Sequence, residues 1–240
     1  MNILVTGGSS GLGKAIVCTL SNSPGDKVFF TYNRHGDEAE AIVREKHNVI
    51  AIKCDFTNAD EICELEKAIP TFDLDVLINN AYVGTPQGIH FHKTDSTTFL
   101  KSYENNLIPT IRITQKAIEG FRRKKFGKII NILTSYLVNV PPMGFSIYTA
   151  NKAYLQQLSK TWSTEYARYN ISSNCISPEF MLTNLSANVD ERIIEQMQAS
   201  HPLKKLLTPA EVADTVIYLI NTSQQVNGMN IVINAAKNIL

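Results

Sequence analysis

The chain begins Met1-Asn2-Ile3-Leu4-Val5-Thr6-Gly7-Gly8-Ser9-Ser10-Gly11-Leu12-Gly13-Lys14, and this stretch decides how the rest is read. An apolar run at 3–5 passes into a turn with glycines at 7, 11 and 13, and a helical period follows. Glycine permits a tight turn and close approach of the backbone to a ligand. The first turn of the next helix presents unpaired N–H groups and the positive end of its dipole, a cradle for a pyrophosphate. The competing reading is a flexible link between strand and helix. Its place, closing the first strand of an alternating chain, favours a dinucleotide turn. Gly7, Ser9, Ser10, Gly11, Leu12 and Gly13 are its candidate ligand-facing residues.

Outward from this turn, strand-like runs recur at 3–5, 27–32, 49–53, 74–78, 128–133, 171–176 and 229–233. Several are apolar on successive residues, as in parallel strands covered on both faces. Amphipathic stretches at 12–21, 37–46, 60–68, 97–121, 148–169, 189–199 and 209–220 separate them. Such alternation means βαβ units with right-handed crossovers. The expected fold is α/β, a Rossmann fold with a doubly wound, parallel, seven-stranded sheet and helices on both faces. No repeat or linker-like tract divides the chain, so 1–240 is read as one domain.

The 240 residues carry 23 Lys and Arg against 22 Asp and Glu, with 44% hydrophobic residues. That composition excludes global disorder. A net charge of +1 argues against broad capture of nucleic acid or anionic membrane. Cys18, Cys54, Cys63 and Cys175 form no CxxC pair, so free thiols are expected rather than a disulfide framework or a metal site. The opening residues offer no basic n-region and no apolar run of signal-peptide or membrane-span length, and a reducing cytoplasm is the expected home.

The second strand ends Phe30-Thr31-Tyr32-Asn33-Arg34-His35. An NAD-binding turn would carry an acid near this point for the adenosine ribose 2′-OH. Arg34 stands there instead, beside Asn33, and a guanidinium suits a 2′-phosphate. NADPH is therefore expected over NADH, with Lys14 a second, weaker cationic candidate.

Residues 148 and 152 share one helix face, so the Lys152 ammonium can sit beside the Tyr148 phenol. A nearby cation would lower a phenol pKa of about 10 and make Tyr148 a usable acid–base group. These residues lie within Tyr148-Thr149-Ala150-Asn151-Lys152, preceded by Cys54-Asp55-Phe56-Thr57, Asn79-Asn80-Ala81, Asn105-Asn106-Leu107 and Ser135. Ser177-Pro178 leads on to Thr183, and Pro202-Leu203-Lys204 and Thr208-Pro209-Ala210-Glu211-Val212-Ala213 follow. In that order the motifs resemble the short-chain dehydrogenases/reductases, and within them most closely the 3-oxoacyl-acyl-carrier-protein reductases.

The resemblance implies roles. Tyr148 would protonate a ketone oxygen as hydride arrives, and Lys152 would also bind the nicotinamide ribose. Ser135, thirteen residues before Tyr148, would stabilise the developing oxygen charge. Alignment from the strand at 127–132 places Thr134 in that role instead; the distance to the tyrosine helix favours Ser135. Asn106 would support a water chain from Lys152. Asp55 and Phe56 would contact adenine, Asn79 and Ala81 the adenine-side ribose, and Thr183, with backbone after Pro178, the nicotinamide carboxamide.

The sequence departs from the family pattern at Tyr82 and Glu179, where glycine is usual, at Leu207, and at Asn234-Ala235-Ala236 for Asp-Gly-Gly. The expected activity is NADPH-dependent reduction of a ketone, foremost a 3-oxoacyl thioester as in fatty-acid biosynthesis. Alternatives are a sugar, polyol or secondary-metabolite ketone, or a non-catalytic cofactor-sensing role. Apolar residues in 136–144 and in a lid at about 179–205 suit an acyl chain. Arg112, Lys116, Arg122, Arg123, Lys124 and Lys125 would attract an acidic acyl carrier protein, although a solvated helix end explains them too. A homodimer or homotetramer is implied, with Ala153, Leu155, Leu158 and Trp162 offering apolar surface unless they pack within one subunit.

Overall fold

The strands are β1 (Asn2–Val5), β2 (Lys27–Tyr32), β3 (Val49–Lys53), β4 (Val76–Asn79), β5 (Gly127–Ile132), β6 (Ile171–Pro178) and β7 (Asn230–Ile233). They form one sheet in the order β3-β2-β1-β4-β5-β6-β7, with every neighbouring pair parallel. The helices are α1 (Gly11–Leu20), α2 (Gly36–Glu45), α3 (Ala59–Phe72), α4 (Ser96–Lys124), α5 (Ser146–Tyr166), α6 (Glu191–Ser200) and α7 (Pro209–Asn221). This computed structural model describes residues 1–85, 88–183 and 189–237. Residues 184–188 of the expected lid lie outside them.

Side chains alternate across the strands and divide the core into two layers. Ile3, Val5, Val28, Phe30, Val76 and Ile78 face the layer that α1, α2 and α7 cover. Leu4, Phe29 and Leu77 face α3, α4 and α5. Both faces are apolar because both are covered, the condition that parallel sheets need. Fully burying a leucine or phenylalanine contributes about 1.5–3 kcal/mol, and Phe30 and Phe121 reach 0% exposure. Among the described residues no helix is long and apolar enough to cross a membrane.

Two local features position the site. The order of strand addition reverses at β1, with β2 and β3 added on one side and β4 onward on the other, opening a crevice beyond the carboxyl ends of β1 and β4. Further along, Pro109 lies inside α4, where it removes one helix amide. The Thr110 hydroxyl there donates to the Asn106 carbonyl at 2.7 Å.

Candidate active site

The turn after β1 is held from both flanks. Gly7 N donates to Thr31 Oγ1 at 2.9 Å and Gly8 N to the Thr31 carbonyl at 2.8 Å, tying it to β2. On the other flank Thr6 Oγ1 accepts from the amides of Asn80 and Ala81, both at 3.0 Å. The Asn80 side chain donates back to the carbonyls of Thr6 and Gly7 at 2.9 and 3.0 Å. Thr6, Thr31 and Asn80 are thus supporting residues that the sequence reading left without a role, although each lies in or beside a quoted motif.

The glycines are needed for two reasons. Gly7 has φ +70°, and a Cβ there would lie 3.0 Å from the Ala81 Cα, while a Cβ on Gly13 would collide with the Gly7 carbonyl. Gly11 has φ 51° and opens α1, whose first turn holds no acid. Ser9 and Leu12 are buried against this turn, and Ser10 is half-buried at the helix N-cap without a side-chain capping bond. Close backbone approach and free first-turn amides fit a pyrophosphate.

Asn33 and Arg34 are exposed at the end of β2. Burial would raise the Asp55 pKa, but the Thr57 amide and hydroxyl, the Asn33 side chain and the Arg34 charge together hold it down. Arg34 and Asp55 are therefore neighbours beyond the ends of β2 and β3. Glu38, in the first turn of α2, bonds His35 at 3.2 Å and lies within reach of the Lys14 charge. The acid expected to be lacking at the strand end thus has a counterpart nearby, one turn into the next helix. Phe56 is buried in the core layer under α3.

At the ends of β5 and β6 the chemistry-bearing groups converge. Lys152 is 6% exposed and its Nζ donates to the Ile132 carbonyl at 2.7 Å. Burial pulls its pKa down to about 8. The ammonium lies 5.3 Å from the centre of the Tyr82 ring and 5.8 Å from that of Tyr148. Tyr82 and Tyr148 pack edge to face at 5.0 Å. The Tyr82 hydroxyl hydrogen-bonds the side chains of Ser102 and Asn151.

One expectation is corrected here. The Tyr148 pKa is raised, not lowered: burial dominates, the Tyr82 and Tyr136 hydroxyls add to it, and only a side-chain bond from Thr134 opposes them. Lys152 does not bring it down because its ammonium is directed to a backbone carbonyl. Of the two neighbouring hydroxyls, the Thr134 side chain acts on Tyr148. Ser135 opens a 3-10 turn (Ser135–Leu137), is 0% exposed, and its Oγ has no hydrogen-bond partner.

Asn106 is buried and pins the loop after β4: its Oδ1 accepts from Val83 N at 2.6 Å and its Nδ2 donates to the Ser102 carbonyl at 3.0 Å. A small cavity lined by Tyr82, Asn106, Asn151 and Lys152 separates it from the lysine. The Asn79 side chain is turned into the core, where its amide donates to Thr114 Oγ1 at 3.0 Å and to Asn131 Oδ1 at 2.9 Å, so only its backbone is left to meet a ribose. Ala81 remains at the crevice against Gly7. Pro178 ends β6 in register with Ile233, and Thr183 is half-buried just beyond.

Surface expectations shift as well. Arg112 pairs with Glu66, Lys116 with Glu119, and Lys124 with Asp73 and Asp75, so half of the basic cluster is locally neutralised. Leu155 and Trp162 belong to the subunit's own core, at 5% and 9% exposure. Helical spacing alone could not separate those two alternatives. Cys54 and Cys175 are buried free thiols pushed up to about 12 and about 11 by burial. Among the described residues no His, Cys, Asp and Glu group could hold a metal ion.

A family model for short chain dehydrogenases matches residues 1–193. Carbonyl reductase family member 4 of Xenopus laevis is 30% identical over 220 residues, covering 91% of this chain and 90% of that protein. The 3-oxoacyl-acyl-carrier-protein reductase FabG of Staphylococcus epidermidis is 29% identical over 238 residues, covering 96% of each. A solved short chain dehydrogenase/reductase family protein superimposes with a TM-score of 0.85 at 27% identity, over 97% of this chain and 95% of that one. With its parallel sheet, its glycine turn and its paired tyrosine and lysine, the chain belongs to the short chain dehydrogenase family.

Proposed function

We propose that the protein is an NADPH-dependent carbonyl reductase whose ketone is a 3-oxoacyl thioester. What carries the proposal is the meeting of Thr134, Tyr148 and Lys152 at one end of the crevice that begins at the glycine turn. NADPH, when bound, supplies the hydride. Gly7, Gly11 and Gly13 with the first turn of α1 would hold its pyrophosphate, and Arg34 and Lys14 its 2′-phosphate.

The chain's own residues then handle the proton. Tyr148 keeps its proton firmly because burial disfavours the phenolate. It can release that proton to a carbonyl oxygen as charge develops there, with the Thr134 hydroxyl donating to the same oxygen. The Lys152 ammonium, 5.8 Å from the centre of the Tyr148 ring, would hold the nicotinamide ribose and so place the cofactor beside Tyr148.

The choice of a thioester rests on the walls. Val140 and Met143 on the loop after Ser135 are 88% and 81% exposed, and Leu182 and Leu203 on the far side are 52% and 60% exposed. Two polar groups that would suit a sugar are engaged elsewhere: Tyr82 bonds Ser102 and Asn151, and Glu179 pairs with Lys237. Following NADPH absorbance with acetoacetyl thioester and with sugar ketones tests this directly. Faster turnover of the thioester is expected. Tight NADPH binding with no turnover of any ketone would instead favour a sensing role.

A further inference from the structure

Two departures that lie far apart in sequence, Glu179 and the Asn234-Ala235-Ala236 turn, come together around one buried carboxylate, with the Lys237 side chain 29% exposed at its edge. Glu179 follows Pro178 at the end of β6, His201 follows α6, and Lys237 follows the Asn234-Ala235-Ala236 turn beyond β7. The Lys237 ammonium donates to Glu179 Oε1 at 2.6 Å, and His201 Nε2 lies 3.6 Å from Glu179 Oε2. The Glu179 and His201 side chains are 7% and 6% exposed. His201 Nδ1 accepts the Leu203 amide at 3.1 Å, which leaves Nε2 as the ring's N–H, in electrostatic contact with Glu179 Oε2 but beyond hydrogen-bond length.

A carboxylate this deeply buried is kept only where it is paired. The backbone is bent to supply the pairing. Ala235 and Ala236 have φ 49° and 59°, the left-handed region where a side chain is strained and glycine is not. The Asn234 side chain accepts from Ala236 N at 3.1 Å and its carbonyl from Lys237 N at 2.9 Å, which holds the turn. The cluster also borders the site, because the Glu179 charge reaches Tyr136. Tyr136 packs on Phe145, and Phe145 on Tyr148.

We propose that Glu179, His201 and Lys237 act as positioning residues. Their shared carboxylate ties the segment after α6 and the C-terminal segment to the end of β6, and so sets the substrate wall beside Tyr136. The kinetic consequence rests on the reductase reading above; the structural one does not.

The test uses the full chain with Glu179→Gln, Lys237→Met, the double variant and the conservative Lys237→Arg. Arg192, Lys204 and Lys205 are exposed and bracket His201, so trypsin reports whether this segment is held. Cleavage at these three sites is expected to quicken about tenfold in either single variant and no further in the double, since one coupled interaction is lost. Lys237→Arg should cut like the parent. In the reductase assay the thioester KM should rise about tenfold while kcat stays within about threefold. Unchanged cleavage and KM in both single variants would overturn the proposal. So would quickened cleavage spread evenly over the whole chain with a lower Tm, which marks general destabilisation. If the parent turns over no thioester, the reductase reading fails while proteolysis still decides the clasp.

Discussion

The Lys152 ammonium lies 5.3 Å from the centre of the Tyr82 ring, so a residue standing where this family usually has glycine helps to hold the charge beside Tyr148. An aromatic face attracts a desolvated cation by about 0.5–2 kcal/mol. Tyr82 also presents its edge to Tyr148 and anchors its own hydroxyl on Ser102 and Asn151. Tyr82→Leu should therefore lower kcat by about tenfold. Tyr82→Phe keeps the ring and should stay within about threefold, as the loss of one neutral hydrogen bond allows. Steady-state kinetics of both variants checks the ordering; equal losses would assign the effect to the hydroxyl.

Thr134 and Ser135 are adjacent but differ in what they touch. Thr134→Val should lower kcat by about 10²-fold, the scale for one donor to a developing oxyanion. Ser135→Ala should leave kcat within about twofold, and its Tm should not fall, because a buried hydroxyl without a partner contributes little that alanine would lose. The reverse ranking would restore Ser135 to the reacting oxygen.

Lys152 is expected to cost the fold stability while serving the chemistry. Its pKa of about 8 in the folded chain lies below the ordinary 10.5. At about 1.4 kcal/mol per pKa unit the cost is about 3 kcal/mol, partly offset by about 1 kcal/mol from the bond to Ile132. Between those pH values the unfolded chain binds the extra proton, so the penalty is full below about pH 8 and fades as pH rises toward 10.5. Lys152→Met should lose activity and yet melt no lower than the parent at pH 7, with a stability advantage that shrinks from pH 8 upward. Urea titrations across that window measure it. A variant much less stable than the parent at pH 7 would contradict the buried-cation account.

The proposed NADPH preference rests on Arg34, which is exposed and adjacent to Asp55. Arg34→Ala should weaken NADPH by about tenfold or more and NADH by no more than about twofold, since only the 2′-phosphate gains from a charge-assisted pair. Fluorescence titration with both cofactors separates them. Equal losses would show that Arg34 does not read the phosphate and would turn attention to Lys14 and Glu38.

The sheet was legible because each strand is short, apolar and bounded by turn residues, and the glycine turn because its spacing serves one backbone shape. Helix ends were less so: α4 runs to Lys124 and α3 continues through Pro70 to Phe72, where packing outweighs local signals. For Asn79 a motif gives the position but not the direction of the amide, which points into the core. Tyr82, Glu179 and the Asn234-Ala235-Ala236 turn stood out as departures, yet their meaning was hidden. Glu179 finds Lys237 at a separation of 58 residues, and nothing local announces such a pairing.

The central claim is that Tyr148 delivers the proton to a ketone. It is tested most directly by the initial rate of NADPH oxidation with acetoacetyl thioester, compared between the parent and Tyr148→Phe. A robust parent rate and a fall of about 10²-fold or more in the variant are expected, with NADPH binding retained. Turnover that survives Tyr148→Phe unchanged would contradict it.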